Sequence, residues 1–462
     1  MTRFDVLNRR TIISGLASAL ALSGSALGQR RGGKAIVVGA GAAGLSCAQN
    51  MRRAGLDVVV LEAQARIGGR MKTSRAWPDM PVELGASWVH GVSGNPAGEL
   101  AGAAGLDLRP TDYDNRLVYS EFDGLLDQRA LDRLESLERR LERYADNAPG
   151  SGLENSCKSR PRGTLENRLI RLMRLESPSV AKHRRGLFVL NSLIEHEYAA
   201  DFEALSRCFW SEGQDGAGGD AIVTGGFDRL ATSMADQLDI RLTQIVERVD
   251  YSNGGVRVTT QSGSETADVV VLTVPLGVLQ QGGIQFGPAL PTLKQDAVHA
   301  LGSGLLNKCI LRFDEAHWPE QTEMFNRLAD QRGAWAEFLN LAAYDQGPGM
   351  MCFNASSFAR GLETANDADT GAAAMEALRG MFGSRLPDPV GIQVTRWGQD
   401  PFARGSYSYP GEFTRRDSRI RLLEPVDQRV FFAGEATSTL APGTVHGAIL
   451  SGRAAANAVV ER

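Results

Sequence analysis

Lys34-Ala35-Ile36-Val37-Val38-Gly39-Ala40-Gly41-Ala42-Ala43-Gly44, followed by Val58-Val59-Val60-Leu61-Glu62, is the stretch on which the fold of this chain turns. Lys34 to Val38 is a short apolar run of the kind a buried strand uses. Ala43 to Ala54 carries helix formers and stops at Gly55, a residue suited to ending a helix. Val58 to Leu61 reads as a second parallel strand, closed by Glu62, 23 residues beyond Gly39. The spacing predicts a βαβ unit with a glycine turn between strand and helix. Glycine lets that turn tighten and lets the backbone approach a pyrophosphate, which the helix N-terminus stabilises through its N–H groups and dipole. A carboxylate at Glu62 suits an unphosphorylated adenosine ribose, which disfavours NADP but does not separate NAD from FAD.

A second glycine-rich segment, Gly443-Thr444-Val445-His446-Gly447-Ala448, lies at the other end of the chain. The two together predict one dinucleotide site assembled from both ends. At 462 residues the chain exceeds one typical core, so two interleaved domains are expected. Strand-like runs gather in residues 34–92, 218–287 and 389–462, which predicts a discontinuous nucleotide-binding domain. Residues 93–217 and 288–388 then form a substrate-binding domain. The fold class expected is α/β, a Rossmann-like domain interleaved with an α+β one.

Composition excludes several classes. Hydrophobic residues at 43% and charged ones at 23% describe a soluble globular chain. The net charge is −4, or −6 once residues 1–28 are set aside, so nothing points to nucleic acid. Asn8-Arg9-Arg10-Thr11-Ile12-Ile13, an Ala/Ser/Gly-rich stretch to Leu27, and then Gly28 look like a twin-arginine export signal over residues 1–28. That predicts a periplasmic or secreted protein that uses the twin-arginine machinery and has no stable membrane anchor. Cys47, Cys157, Cys208, Cys309 and Cys352 lack metal-ligand spacing, so neither a metal site nor a disulfide framework is expected.

Beyond the glycine turn, five further segments stand out: Arg66-Ile67-Gly68-Gly69-Arg70; Glu83-Leu84-Gly85-Ala86-Ser87-Trp88-Val89-His90-Gly91; Leu306-Asn307-Lys308-Cys309-Ile310; Arg396-Trp397-Gly398 with Gly405-Ser406-Tyr407; and Phe432-Ala433-Gly434-Glu435-Ala436-Thr437. With these the chain resembles the flavin-containing amine oxidases, and most of all the polyamine and spermine oxidases among them. The resemblance implies FAD. It assigns cofactor contacts to Gly39, Gly41, Ala43, Gly44, Glu62, Ala63, Arg66, Gly69 and Arg70, and to Gly85, Ala86, Ser87 and Trp88. It adds Val246 beside adenine, Trp397 by the flavin, and Gly434, Glu435, Thr444 and Val445 near the flavin end.

The same resemblance implies substrate-side roles for Lys308, Tyr407, His90 and Glu197. An unpaired lysine between apolar residues is costly to bury, so Lys308 needs a reason of its own; relatives place a lysine there against flavin N5 through a water. Ser406 stands where monoamine oxidases have the cysteine that holds flavin covalently, so the FAD is expected to be non-covalent. The implied reaction takes hydride from a neutral amine to flavin N5 and passes the electrons to O2 or another acceptor. No catalytic base is evident. Alternatives left open are a monoamine or L-amino-acid oxidase, an amine dehydrogenase using a non-O2 acceptor, and a non-redox flavoprotein or isomerase.

Overall fold

Lys34–Val38 is the middle strand of a five-stranded sheet in which every pairing is parallel. In a computed structural model describing residues 32–146, 164, 180–210, 212–214, 216–252 and 254–462, the order across this sheet is Asp239–Arg241, Asp57–Leu61, Lys34–Val38, Val269–Leu272, Val430–Phe432. The export-like segment 1–28 lies outside the described residues. Successive strands leave Lys34–Val38 in opposite directions, so the crevice beyond its C-terminal end is a topological switch point, the usual ligand site of such sheets. Gly39 and Thr273 stand side by side there, each directly after its strand.

The helix Ala42–Arg53 packs against this sheet as closely as backbone permits. A Cβ on Gly44 would lie 1.9 Å from the Gly39 carbonyl oxygen and 2.8 Å from Thr273 Oγ1. Its N-cap is Gly41, which brings no side chain to occupy the first-turn N–H groups. The last helix, Val445–Val460, lies on the first: a Cβ on Gly452 would come within 2.2 Å of the Ala43 oxygen, and Ser46 Oγ donates to Ile449 O at 3.0 Å. Small residues in both glycine motifs therefore join the two ends of the chain.

A second, mixed sheet of seven strands runs Gly391–Val394, Leu306–Arg312, Gly349–Ala355, Glu337–Asn340, Met324–Leu328, Arg116–Ser120, Gly124–Leu125. All of its pairings are antiparallel except Met324–Leu328 with Arg116–Ser120. The α/β class with a parallel Rossmann-like sheet and a mixed second sheet is thus the observed architecture. One boundary differs from the sequence reading. Gly391–Val394, placed by sequence with the nucleotide segment 389–462, hydrogen-bonds to Leu306–Arg312 in the second sheet. A three-stranded sheet of Trp88–Val89, Ala221–Thr224 and Asp107–Pro110 also stitches the two regions together. Cys208 is disulfide-bonded, which the wide cysteine spacing did not suggest, while Cys47, Cys309 and Cys352 are free and buried.

Candidate active site

One cavity of about 1520 Å³ opens at the switch point and extends to the second sheet. It is larger than the roughly 300–1,000 Å³ of an ordinary small-molecule pocket. Every residue singled out by sequence for a site lines it, apart from Gly44 and Arg66. Gly44 acts one layer back, through the close packing just described. Arg66 donates to Ile67 O (3.2 Å) and Gly69 O (2.8 Å), bracing the turn whose residues do line the cavity.

At the nucleotide end, Gly39 has φ +107° and donates to Leu61 O at 2.8 Å. Only the Gly68 oxygen, 4.0 Å away, lies near where a Cβ on Gly41 would stand, so space remains over the helix N-terminus. The buried Glu62 carboxylate accepts from Ala40 N at 2.7 Å and Gln64 N at 2.8 Å. Burial outweighs these bonds and raises its pKa.

Further along, Glu435 is the hub of a buried polar network. It accepts from Arg70 Nη1 (2.9 Å), Ser408 Oγ (2.6 Å) and Gly443 N (3.0 Å). Arg419, 2% exposed, donates to the same Ser408 hydroxyl at 2.8 Å and to Glu212 at 2.5 Å. Burial would raise the Glu435 carboxyl, but Arg70, Ser408 and Arg419 together hold it below the usual carboxylate value. Because the folded pKa lies under the unfolded ~4.3, the group stabilises the fold fully above that pH. The contribution drains away as pH falls through the folded pKa. Glu435→Gln is therefore expected to flatten the acid limb of stability below pH ~4, read by urea unfolding from pH 6 to 3; an acid limb identical to wild type would refute it.

Lys308, only 3% exposed, is the centre of the opposite wall. Its Nζ donates to Glu83 O (3.0 Å), Gly85 O (2.6 Å) and Ser87 Oγ (2.7 Å), which matches an ammonium's three donors with three acceptors. Burial pushes Lys308 down and the neighbouring Glu83 carboxyl up, and their mutual attraction opposes both shifts. Aromatic rings complete the wall: Trp88 and Phe353 have centroids 5.9 Å apart, and Trp397 Nε1 donates to Leu84 O at 3.1 Å. Tyr407 OH donates to His196 O at 2.6 Å, and burial, followed by Glu197 and Glu337, keeps its phenol protonated.

The sequence named four substrate-side residues; the structure surrounds them with others. His90, about half exposed, pairs through Nδ1 with Asp220 at 2.8 Å, and Tyr113 OH donates to the same carboxylate oxygen at 3.0 Å. Glu197 is exposed into this space and acts electrostatically on both Tyr113 and Tyr407. Phe353 and Glu337 reach the cavity because Lys308, Phe353, Glu337 and Asn326 are cross-strand partners in one rung of the seven-stranded sheet. The rung gathers residues from four strands whose sequence spacing carries no common signal. His196 adjoins Glu197 in the sequence, but its burial was not legible there.

Residues 42–460 match the family described as flavin-containing amine oxidoreductase. The chain is 34% identical to polyamine oxidase 2 of Arabidopsis thaliana over 444 residues, 91% of this chain and 86% of that one. It is likewise 34% identical to lysine-specific histone demethylase 1 homolog 1 of Oryza sativa subsp. japonica, over 92% of this chain and 52% of that one. A putrescine oxidase solved with putrescine bound shares the fold, with a TM-score of 0.76 at 19% identity over 93% of this chain and 99% of that one. By the extent of the family match and the identity of its relatives, this chain belongs to the flavin-containing amine oxidoreductase family and is an enzyme of that family.

Proposed function

We propose that this chain is an FAD-dependent oxidase of polyamines, with the cofactor held non-covalently. The observation that carries the reading is the single cavity. Its lining joins a glycine cradle to an aromatic wall around Lys308, and it includes the carboxylates of Asp112, Asp114, Glu135, Glu138, Glu197 and Asp220. Asp112 and Asp114 are exposed at the rim. Arg116 and Arg139 line the cavity too, paired with Glu138 and Glu135, as do Arg70, Lys308, Arg404 and Arg419, but the ten lining carboxylates outnumber these six cations, which favours an extended polycation. Polyamine oxidases among the relatives support the same choice.

The residues present fit FAD. Gly41 leaves its Cβ position open, and around Gly434, φ +137°, nothing lies within 4 Å of where a Cβ would be. The turn Gly39 to Ala43 would hold the pyrophosphate, Glu62 the ribose, Val246 the adenine, and Gly434, Glu435, Thr444 and Val445 the flavin end. A flavin bound there would supply a hydride acceptor for the amine's α-carbon, after which water would hydrolyse the imine to an aldehyde plus an amine or ammonia and O2 would take the electrons as H2O2. Trp397, Trp88 and Phe353 exclude water and favour a cation over their faces. Lys308 fixes the backbone of residues 83–87 that lines the ring site.

Purified holoenzyme is expected to be yellow and to be bleached anaerobically by spermine or spermidine, with peroxide formed on admitting air. A panel that includes monoamines, amino acids and a methylated-lysine peptide separates the neighbouring activities, and failure with every amine would end the proposal. None of the described cysteines lines the cavity, and Ser406 Oγ is engaged by Leu306 N and O at 2.9 and 2.8 Å. Acid denaturation should therefore release all of the FAD into the supernatant; flavin that stays with the pellet would show a covalent bond.

Export by the twin-arginine route is part of the proposal, because that route moves proteins already folded around a cofactor. The disulfide at Cys208 supports it, since such bonds persist in oxidising compartments. Arg9→Lys combined with Arg10→Lys should retain the protein in the cytoplasm, and unchanged periplasmic recovery on fractionation would count against export by this signal.

A further inference from the structure

An amine with a solution pKa near ~10 enters a carboxylate-lined cavity as an ammonium. It cannot give up hydride from its α-carbon until one proton has left the nitrogen. The cavity wall holds a group built to take that proton.

His196 follows the π-helical turn Asn191–Glu195 and is 6% exposed. Its Nδ1 lies 2.7 Å from Glu337 Oε2, and both residues line the cavity. Its Nε2 is buried with no hydrogen-bond partner among the described residues. Tyr407 OH ties the His196 carbonyl to the aromatic wall at 2.6 Å. Glu337 itself is placed by the rung: it stands opposite Phe353, which stands opposite Lys308. Directly opposed residues share a face, and strands lie ~4.8 Å apart, so the Glu337 backbone sits about 10 Å from that of Lys308.

The chemistry follows from the pairing. In the tautomer that donates Nδ1–H to the Glu337 carboxylate, Nε2 carries a lone pair. A buried acceptor without a partner is unfavourable, and a donor arriving in the cavity relieves it. An alkylammonium is such a donor. The charged groups around the imidazole suit a transient cation: Glu337 from the sheet, Glu197 and Glu195 from its own segment, the last paired with Arg332. Tyr407 faces it from the C-terminal wall, and Lys308 lies beyond Phe353.

We propose that His196, oriented by Glu337, is the base that accepts the substrate ammonium's proton at Nε2 before hydride leaves the α-carbon. The N–H bond of the ammonium breaks, the Nε2–H bond forms, and Glu337 stabilises the imidazolium produced, in the manner of other histidine–carboxylate pairs. The assignment rests on the amine-oxidase reading above and adds to it the base that the sequence did not reveal.

The test is anaerobic stopped-flow reduction of flavin-loaded His196→Gln by spermidine from pH 6 to 10. At pH 7 the reduction rate should fall ~100-fold or more, within the usual range for a lost general base. The gap should close toward pH 10, where the solution itself supplies neutral amine. Glu337→Gln should show a smaller loss with the same pH trend. A loss by one constant factor at every pH, or a wild-type rate at pH 7, would overturn the assignment. Should His196→Gln fail to hold flavin, Glu337→Gln decides: wild-type reduction by that variant at all pH values refutes the pair. If no amine reduces the wild-type holoenzyme, the amine-oxidase reading itself falls and the base with it, whereas a parallel loss sinks only the base.

Discussion

Lys308→Met is expected to slow amine-dependent turnover by ~100-fold or more and to destabilise the fold at the same time. The side chain is 3% exposed and uses its three donors on Glu83 O, Gly85 O and Ser87 Oγ. Methionine fills a similar volume but donates nothing, so three buried acceptors lose their partner at ~1–3 kcal/mol each before relaxation. Glu83 also loses its nearby cation. Burial already pushes that carboxyl up, and without Lys308 it rises further and takes a proton, which recovers part of the loss. The backbone that Lys308 pins also supports Trp397 through Leu84 O, so the wall facing the ring site loosens with it. Stopped-flow measurement of flavin reduction and reoxidation, together with a thermal melt, checks both parts. Wild-type rates in both half-reactions with a lowered Tm would leave Lys308 as a structural brace and nothing more.

Gly44→Ala should yield protein that is poorly folded and free of flavin, whereas Gly41→Ala, three residues away, should fold normally and lose only flavin affinity. At Gly44 the new methyl would stand 1.9 Å from the Gly39 oxygen and 2.8 Å from Thr273 Oγ1. Neither neighbour can yield cheaply: Gly39 N is bonded to Leu61 O at 2.8 Å, and Thr273 Oγ1 to Val38 O at 2.8 Å. The helix must lift off the sheet, an overpacking cost of at least ~1–3 kcal/mol that falls directly on the glycine turn. At Gly41 the φ of −81° is ordinary and the added methyl meets only open cavity. Apo-protein stability should therefore hold while FAD affinity drops ~100-fold, about 2.7 kcal/mol. Melting curves of the apo-proteins and flavin titrations separate the two cases. Wild-type FAD binding by Gly41→Ala would move the cofactor away from this turn.

The glycine turn, its strands and its helix were legible in sequence because their signals are local: an apolar run, helix formers, a stop at Gly55 and a carboxylate at a fixed offset. Lys308 was legible for a different reason, as one charge stranded in a strand-like apolar run, and it is buried as that pattern implies. Arg66 was named through the family resemblance, and only the fold shows that its guanidinium is engaged by the carbonyls of its own turn. The strand Gly391–Val394 misled because edge pairing depends on which neighbour is free and not on its own residues. Asp220 and Glu337 carried no sequence signal at all, since a lone acidic residue is ordinarily a solvated one.

The amino-acid sequence by itself determined that the two ends of the chain can pack closely, because small residues at fixed spacing set how near one backbone can approach another. Only the tertiary structure decided which side chains meet across the cavity: Glu337 with His196, Asp220 with His90, Ser87 with Lys308. Those meetings depend on sheet register and burial, which bring together residues 130 to 221 apart in the chain, and no local pattern encodes them.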